Sequence, residues 1–395
     1  MLLIRNGNLY TPKPCGVRDI LAAGKKIIGV FQPGVLTDAP LRALDPELVV
    51  LDAEGHRVIP GIIDRHVHFG GAGGEGGPMY RTPPLQLSSF IEAGVTSAVG
   101  MLGTDGTCRS LSELLMKARG LEEEGISTWI LTGSYGIPSV TLTGGVMSDL
   151  CLIDKVIGLK MAISDHRCSH PSVEEIRRAV SDARMGGILS GKSGVVCVHM
   201  GSEKTSFSPL LEAIENTNIP AAQFGPTHVS RSEEMLSDAV QFCKRGGNVD
   251  ITTAPEDKPS FRTTFRTPTR KALKLLLDGG AAPEQITLSS DGNGSMPRFD
   301  ERGKMVGMGI GSITAVLESV LELWDDPELD QEAVLSMATS NVADQLGLKG
   351  KGRIEKDADA DILVLDKDNK KLAAVVAKGQ VMMKDGVVVK KGTFE

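Results

Sequence analysis

Between residues 57 and 346 the chain repeats one pattern eight times: a short apolar run, then a helical stretch or a long loop. The runs fall at about 60–68, 96–102, 127–134, 157–163, 194–200, 221–228, 247–252 and 285–291. Their length and β-branched content read as buried strands. Helical patterns follow at 110–125, 172–185, 232–245, 269–277, 312–324 and 332–346; several open on serine or threonine followed by glutamate, and several close on glycine. Eight β-then-α units in succession predict a (β/α)8 TIM barrel, with a doubly wound sheet as the alternative. A barrel carries a positional rule: catalytic residues belong at the carboxyl ends of its strands.

The two ends of the chain have another texture. Residues 1–56 and 347–395 are short β-type runs punctuated by turns such as Asn6-Gly7, Lys378-Gly379 and Asp385-Gly386. They are expected to pair as one discontinuous, small β-sandwich domain, leaving residues 57–346 as the barrel. A net charge of -7, from 43 basic and 50 acidic residues, argues against a nucleic-acid partner, which needs a basic face. No stretch approaches a membrane span, and the start Met1-Leu-Leu-Ile-Arg lacks the pattern of a signal peptide. A soluble, cytoplasmic protein is expected. The six cysteines are scattered with no CxxC pair, so neither a disulfide framework nor a cysteine zinc site is indicated.

The positional rule can be applied to the histidines. His66 and His68 sit i, i+2 at the end of the first strand and so face the same way. His199 ends the fifth strand, His228 the sixth, and Asp291 the eighth. Four imidazoles and a carboxylate at one end of a barrel have the donor chemistry of a zinc-class metal site. His56 precedes the first strand, while His166 and His170 lie beyond the fourth, and none of these is given a ligand role. Lys160 stands inside the apolar fourth strand; an ammonium cannot ligate a metal, so it would have to be neutral or modified to take part.

Pro60-Gly-Ile-Ile-Asp-Arg-His-Val-His, the lysine of strand four, the histidines ending strands five and six, and Ser290-Asp-Gly together resemble the amidohydrolase superfamily. Gly73-Gly-Glu-Gly-Gly-Pro, Leu131-Thr-Gly-Ser-Tyr, Ile163-Ser-Asp-His-Arg, Pro226-Thr-His-Val-Ser-Arg and Ser289-Ser-Asp-Gly-Asn-Gly-Ser resemble its isoaspartyl (β-aspartyl) dipeptidase branch, and the likeness covers almost the whole chain. The resemblance implies a binuclear zinc site. His66, His68 and Asp291 would hold one ion, His199 and His228 the other, and Lys160, carboxylated by carbon dioxide, would bridge them as a carbamate. A metal-bridging hydroxide would be the nucleophile, with Asp291 as general base and then acid. For a dipeptide substrate, the resemblance gives Arg167, Arg231 and Ser295 to the carboxylates and Glu75, near Gly73, Gly74 and Thr104, to the α-ammonium. Tyr135 would bond the scissile carbonyl. A homo-oligomer is also implied.

Rival readings are a dihydropyrimidinase-like cyclic amidase, an N-acyl amino acid deacylase, and a non-catalytic scaffold on the same fold. Glu75 discriminates, since only the dipeptide carries a free ammonium. Gly71-Ala-Gly-Gly-Glu-Gly76 satisfies GxGxxG, but Gly77-Pro-Met-Tyr-Arg-Thr-Pro-Pro cannot promptly start the helix that a pyrophosphate needs. The connection between Thr252 and Thr269 is arginine-rich and should emerge at the active face, so Arg262 or Arg266 could reach the pocket.

Overall fold

The computed structural model describes residues 1–254, 267–299, 305–368 and 370–395. The arginine-rich stretch containing Arg262 and Arg266 lies outside the described residues. The eight strands are β1 (Ile62–Val67), β2 (Val95–Gly100), β3 (Ser127–Gly133), β4 (Val156–Ile163), β5 (Val195–Met200), β6 (Phe224–Thr227), β7 (Val249–Thr252) and β8 (Ile286–Ser289). Each pairs in parallel with the next. The ring closes where Val67 bridges Gly292 and the His68 N–H reaches the Gly292 carbonyl at 2.8 Å. This is the expected TIM barrel.

The serines expected as caps perform that role. Ser110 accepts from the Glu113 N–H, Ser232 from the Met235 N–H, and Ser172 forms a reciprocal capping box with Glu175. One expected helix is interrupted. The pattern over 332–346 divides into Gln331–Met337 and Ser340–Leu346, because Thr339 leaves helical geometry at φ -136°, ψ -92°. The break frees the Ala338 carbonyl to accept from the Ile63 N–H at 3.0 Å, which ties this helix pair to the base of β1. The segment after β8 holds an antiparallel hairpin, Ser295–Phe299 with Met305–Ile310, that no alternation in the sequence announced.

The chain ends do pair, in one nine-stranded sheet. Arg57–Pro60 is the seam, parallel to Leu2–Tyr10 and antiparallel to Ile362–Leu365. Residues 57–60 therefore belong to this sheet, and the run read as a single strand from about 60 changes sheets at Gly61. A Cβ there would lie 2.1 Å from the Thr96 hydroxyl, so only glycine fits. Ile4, Leu9, Ile20 and Val58 pack with Ile362, Val364 and Val376 in one apolar cluster. Leu363, Leu365 and Val375 alternate to the other face and enter the barrel's own core. A buried Lys351 completes the junction, donating to Asp361 at 2.6 Å and to the Ser127 hydroxyl at the start of β3 at 2.7 Å. Among the described residues, no helix is long and apolar enough to cross a membrane.

Candidate active site

The carboxyl ends of the strands bring the predicted ligands together. His66, His68 and Asp291 are buried, and each offers one donor atom within 4.8 Å of the others. His68 Nε2 is 3.3 Å and His66 Nε2 3.6 Å from Asp291 Oδ1, and His228 Nδ1 is 4.0 Å from Oδ2. The His66 and His228 rings are 5.0 Å apart, and those of His199 and His228 4.7 Å. Lys160, fully buried, places Nζ 3.5 Å from His66 Nε2 and donates to Cys197 Sγ at 3.7 Å. Among the described residues it has no carboxylate partner, an expensive setting for an ammonium. His166 and His170 are exposed.

Hydrogen bonds behind the rings decide which nitrogen of each is available. The Met101 carbonyl can only accept, so His68 carries a proton on Nδ1, 3.0 Å away, and turns Nε2 toward Asp291. Asp165 Oδ2 accepts a hydrogen bond from His199 Nε2–H at 2.9 Å, which leaves His199 Nδ1 as acceptor for the Tyr135 hydroxyl at 2.7 Å. A metal bound at His199 Nδ1 would therefore displace Tyr135. His228 Nδ1 meets the Thr252 hydroxyl at 2.6 Å. Burial, reinforced by the Lys160 charge, drives the His66 imidazole well below its usual range. Burial does the same to His199, against the opposing pull of Asp165. Both rings are thus neutral near pH 7, the form a metal requires.

Backbone conformation also aims the ligands. His228 and Asp291 adopt left-handed φ of 66° and 53°, turning the chain sharply past the ends of β6 and β8. Asp64, fully buried in β1, holds the second turn: it accepts the Ser290 N–H at 3.2 Å and the Ser290 hydroxyl, one residue before Asp291. Burial pushes the Asp64 carboxyl up to about 7 despite these bonds.

Of the predicted substrate residues, Arg167, Arg231 and Tyr135 stand against His199, and Glu75 and Ser295 join them through Arg167. Arg167 grips Asp165 with two guanidinium nitrogens, at 2.9 and 2.8 Å, and donates to Glu75 at 3.2 Å. Ser295 donates to the other Glu75 oxygen at 2.9 Å. Burial alone would raise Asp165, but its bonds to Arg167 and His199 hold it well below the usual carboxylate range. Arg231 is anchored by the Met200 carbonyl at 2.7 Å and reaches within 3.3 Å of His199. Tyr135 is buried just past β3, which pushes its phenol up, so the hydroxyl stays protonated and can donate. Gly73 and Gly74 have φ of 82° and 107°, and a Cβ on Gly73 would meet the Tyr80 carbonyl at 2.2 Å. Thr104 lies half-buried in the loop after β2, beside the Asp105 that pairs with Arg81. The glycine loop leads only into the short turn Pro78–Tyr80, so the dinucleotide pattern has no helix to serve.

Asp165 was not singled out in the sequence, nor was Asp250, buried in β7. Both carry a readable signal. Asp165 lies two residues before Arg167 at a strand end, and Asp250 is a charge within an apolar strand, the same anomaly that marked Lys160.

The sequence model described as amidohydrolase family matches residues 57–392. The structure is similar to that of β-aspartyl dipeptidase from Fervidobacterium islandicum AW-1 in complex with β-Asp-Leu dipeptide. The two chains are 42% identical, with 98% of each covered and a TM-score of 0.88. A second structure of a β-aspartyl dipeptidase from that organism gives 39% identity, 98% coverage of each chain and a TM-score of 0.86. A dihydroorotase of Halobacterium salinarum is 23% identical over 383 residues, covering 89% of this chain and 87% of its own.

Proposed function

Since this chain belongs to the amidohydrolase family, we propose that it is a metal-dependent dipeptidase that hydrolyses β-aspartyl (isoaspartyl) dipeptides. One observation carries the reading: an anion, Glu75, and a cation, Arg167, stand 3.2 Å apart, with Arg167 3.5 Å from His199 of the histidine cluster. A zwitterionic dipeptide fits such a pair. Its α-ammonium takes Glu75, with Gly73, Gly74 and Thr104 shaping the loop. Its carboxylates take Arg167, Arg231 and Ser295, where guanidinium can bond both oxygens. The likeness to the Fervidobacterium β-aspartyl dipeptidases supports the same substrate class.

The donor set fits a divalent metal. His66, His68 and Asp291 are buried and close, and the bond from His68 Nδ1 to the Met101 carbonyl already turns Nε2 inward. We assign these three to one zinc-class ion and His199 with His228 to a second. Lys160, which lacks a carboxylate partner among the described residues, would join both as a carbamate. Such ions supply Lewis-acid polarisation of the scissile carbonyl and an activated water at neutral pH. Around them the protein's own groups do the remaining work. Tyr135 donates to the carbonyl oxygen as charge builds there. Asp291 accepts the proton of the attacking water and delivers it to the leaving amine.

The dihydroorotase relative raises the cyclic-amide alternative. Dihydroorotate carries a carboxylate but no ammonium, so by drawing Arg167 away it would leave Glu75 without a counter-charge. Metal-loaded enzyme should turn over β-aspartyl-leucine and leave dihydroorotate untouched. The reverse preference would overturn the dipeptidase reading.

A further inference from the structure

Beneath the ligands the barrel interior is polar. Asp250, 1% exposed in β7, accepts three hydroxyl protons: from Thr227 at 2.7 Å, Ser289 at 2.6 Å and Thr287 at 2.8 Å. Thr287 in turn accepts from the buried Arg65 guanidinium at 2.9 Å. Only one of these hydroxyls continues upward. Thr227 Oγ1 lies 3.3 Å from His66 Nδ1.

A hydroxyl has one proton. With that proton given to Asp250, the Thr227 oxygen has only lone pairs left for His66, and only an Nδ1–H can satisfy them. The ring is then the Nδ1–H tautomer, and its lone pair sits on Nε2, the atom 3.6 Å from Asp291. We infer that Asp250 is a positioning residue for His66, acting through the Thr227 hydroxyl: it fixes the tautomer that makes Nε2 available to a metal. His68 receives the same service from a main-chain carbonyl that no side-chain substitution can remove, whereas at His66 it depends on two replaceable side chains. The inference rests on the metal reading of His66 given above.

The test uses the full chain and four substitutions. In metal-free wild type, nitrogen-15 NMR of the imidazoles should find His66 protonated at Nδ1. Thr227→Val and Asp250→Leu, which removes both acceptor oxygens, should abolish that preference and weaken zinc binding, read by competition with a chromophoric chelator, by about 10- to 100-fold. Thr227→Ser keeps the hydroxyl and should bind zinc as wild type does. Ser289→Ala removes a similarly short bond to Asp250 that does not lead to His66, and should change stability but neither the tautomer nor the affinity. Combining Thr227→Val with Asp250→Leu should weaken binding no more than Thr227→Val alone. If Asp250→Leu fails to fold, the Thr227 pair carries the comparison. An Nε2–H tautomer in the wild type, or zinc affinity unchanged in Thr227→Val, overturns the inference. A wild type that binds no divalent metal overturns instead the metal reading on which it rests.

Discussion

Glu75 and Arg167, 92 residues apart in the chain, form an ion pair at 3.2 Å beside His199, and Ser295 closes the same carboxylate from the other side. In the free protein each partner thus balances the other. A substrate that inserts between them must bring both charges, because a half-buried ion left alone costs more than the pair gained. Replacing Glu75 by Gln removes the negative charge that pairs an ammonium while keeping shape. Steady-state kinetics on β-aspartyl-leucine should show kcat/KM down by about 10- to 100-fold, the range for one charged hydrogen bond. An N-acetylated substrate should be indifferent to the change.

Asp291 is both a metal-ligand candidate and the proposed proton carrier. Asp291→Asn keeps the volume and the left-handed turn, which asparagine tolerates. It should lower kcat by about 10²- to 10⁴-fold, the usual worth of a positioned acid or base. Zinc content measured on the purified variant should fall as well.

Lys160 is buried against His66 and Cys197 with no anion to pair it among the described residues. If a carbamate supplies the anionic ligand there, zinc reconstitution under carbon dioxide-free conditions should be slow and incomplete, and bicarbonate should restore it. Lys160→Ala should respond to neither. Equal loading with and without bicarbonate contradicts the carbamate.

The buried histidines make the metal-free protein acid-sensitive. His66 and His199 titrate well below 6.5 when folded, while the unfolded chain binds their protons near 6.5. The unfolded state then holds more protons, so stability is full above that value and falls as pH drops below it, by up to about 1.4 kcal/mol per unit for each histidine. Asp64 acts with the opposite sign. Its folded carboxyl is pushed up to about 7, so its contribution is full below the unfolded value of 3.8 and is lost as pH rises through about 7. Urea midpoints of metal-free Asp64→Asn between about pH 5 and about pH 8 isolate the histidine contribution, and should rise with pH to a plateau just above the unfolded histidine value.

Gly73 tests the loop. With φ at 82° and the Tyr80 carbonyl 2.2 Å from where a Cβ would be, Gly73→Ala must shift backbone. A strain of about 1–3 kcal/mol in the loop that carries Glu75 should appear as a raised KM with little change in the thermal midpoint.

The barrel was legible because each strand is an apolar run punctuated by caps, and the clustering of His66, His68, His199, His228 and Asp291 because it follows a positional rule. Gly61 shows what was not. The apolar run on both sides of it is continuous, and only the pairings, Val58–Pro60 with Ile362–Val364 and Ile62 with Val95, show that the chain changes sheets there. The helix break at Thr339 was hidden likewise, since the Ile63 N–H that takes up the freed Ala338 carbonyl is a tertiary partner. In the site, the side chains that face the pocket could be read, but not those that orient them. Asp165, Thr227, Asp250 and Thr252 act on the far side of each ring, where only folding brings them into contact.

Hydrolysis of β-aspartyl-leucine beside α-aspartyl-leucine, by protein reconstituted with zinc and bicarbonate, tests the central claim most directly. Turnover of the β isomer alone, lost in Lys160→Ala and Asp291→Asn, is the predicted result. Cleavage of both isomers alike, or of neither while zinc is bound, contradicts the isoaspartyl assignment.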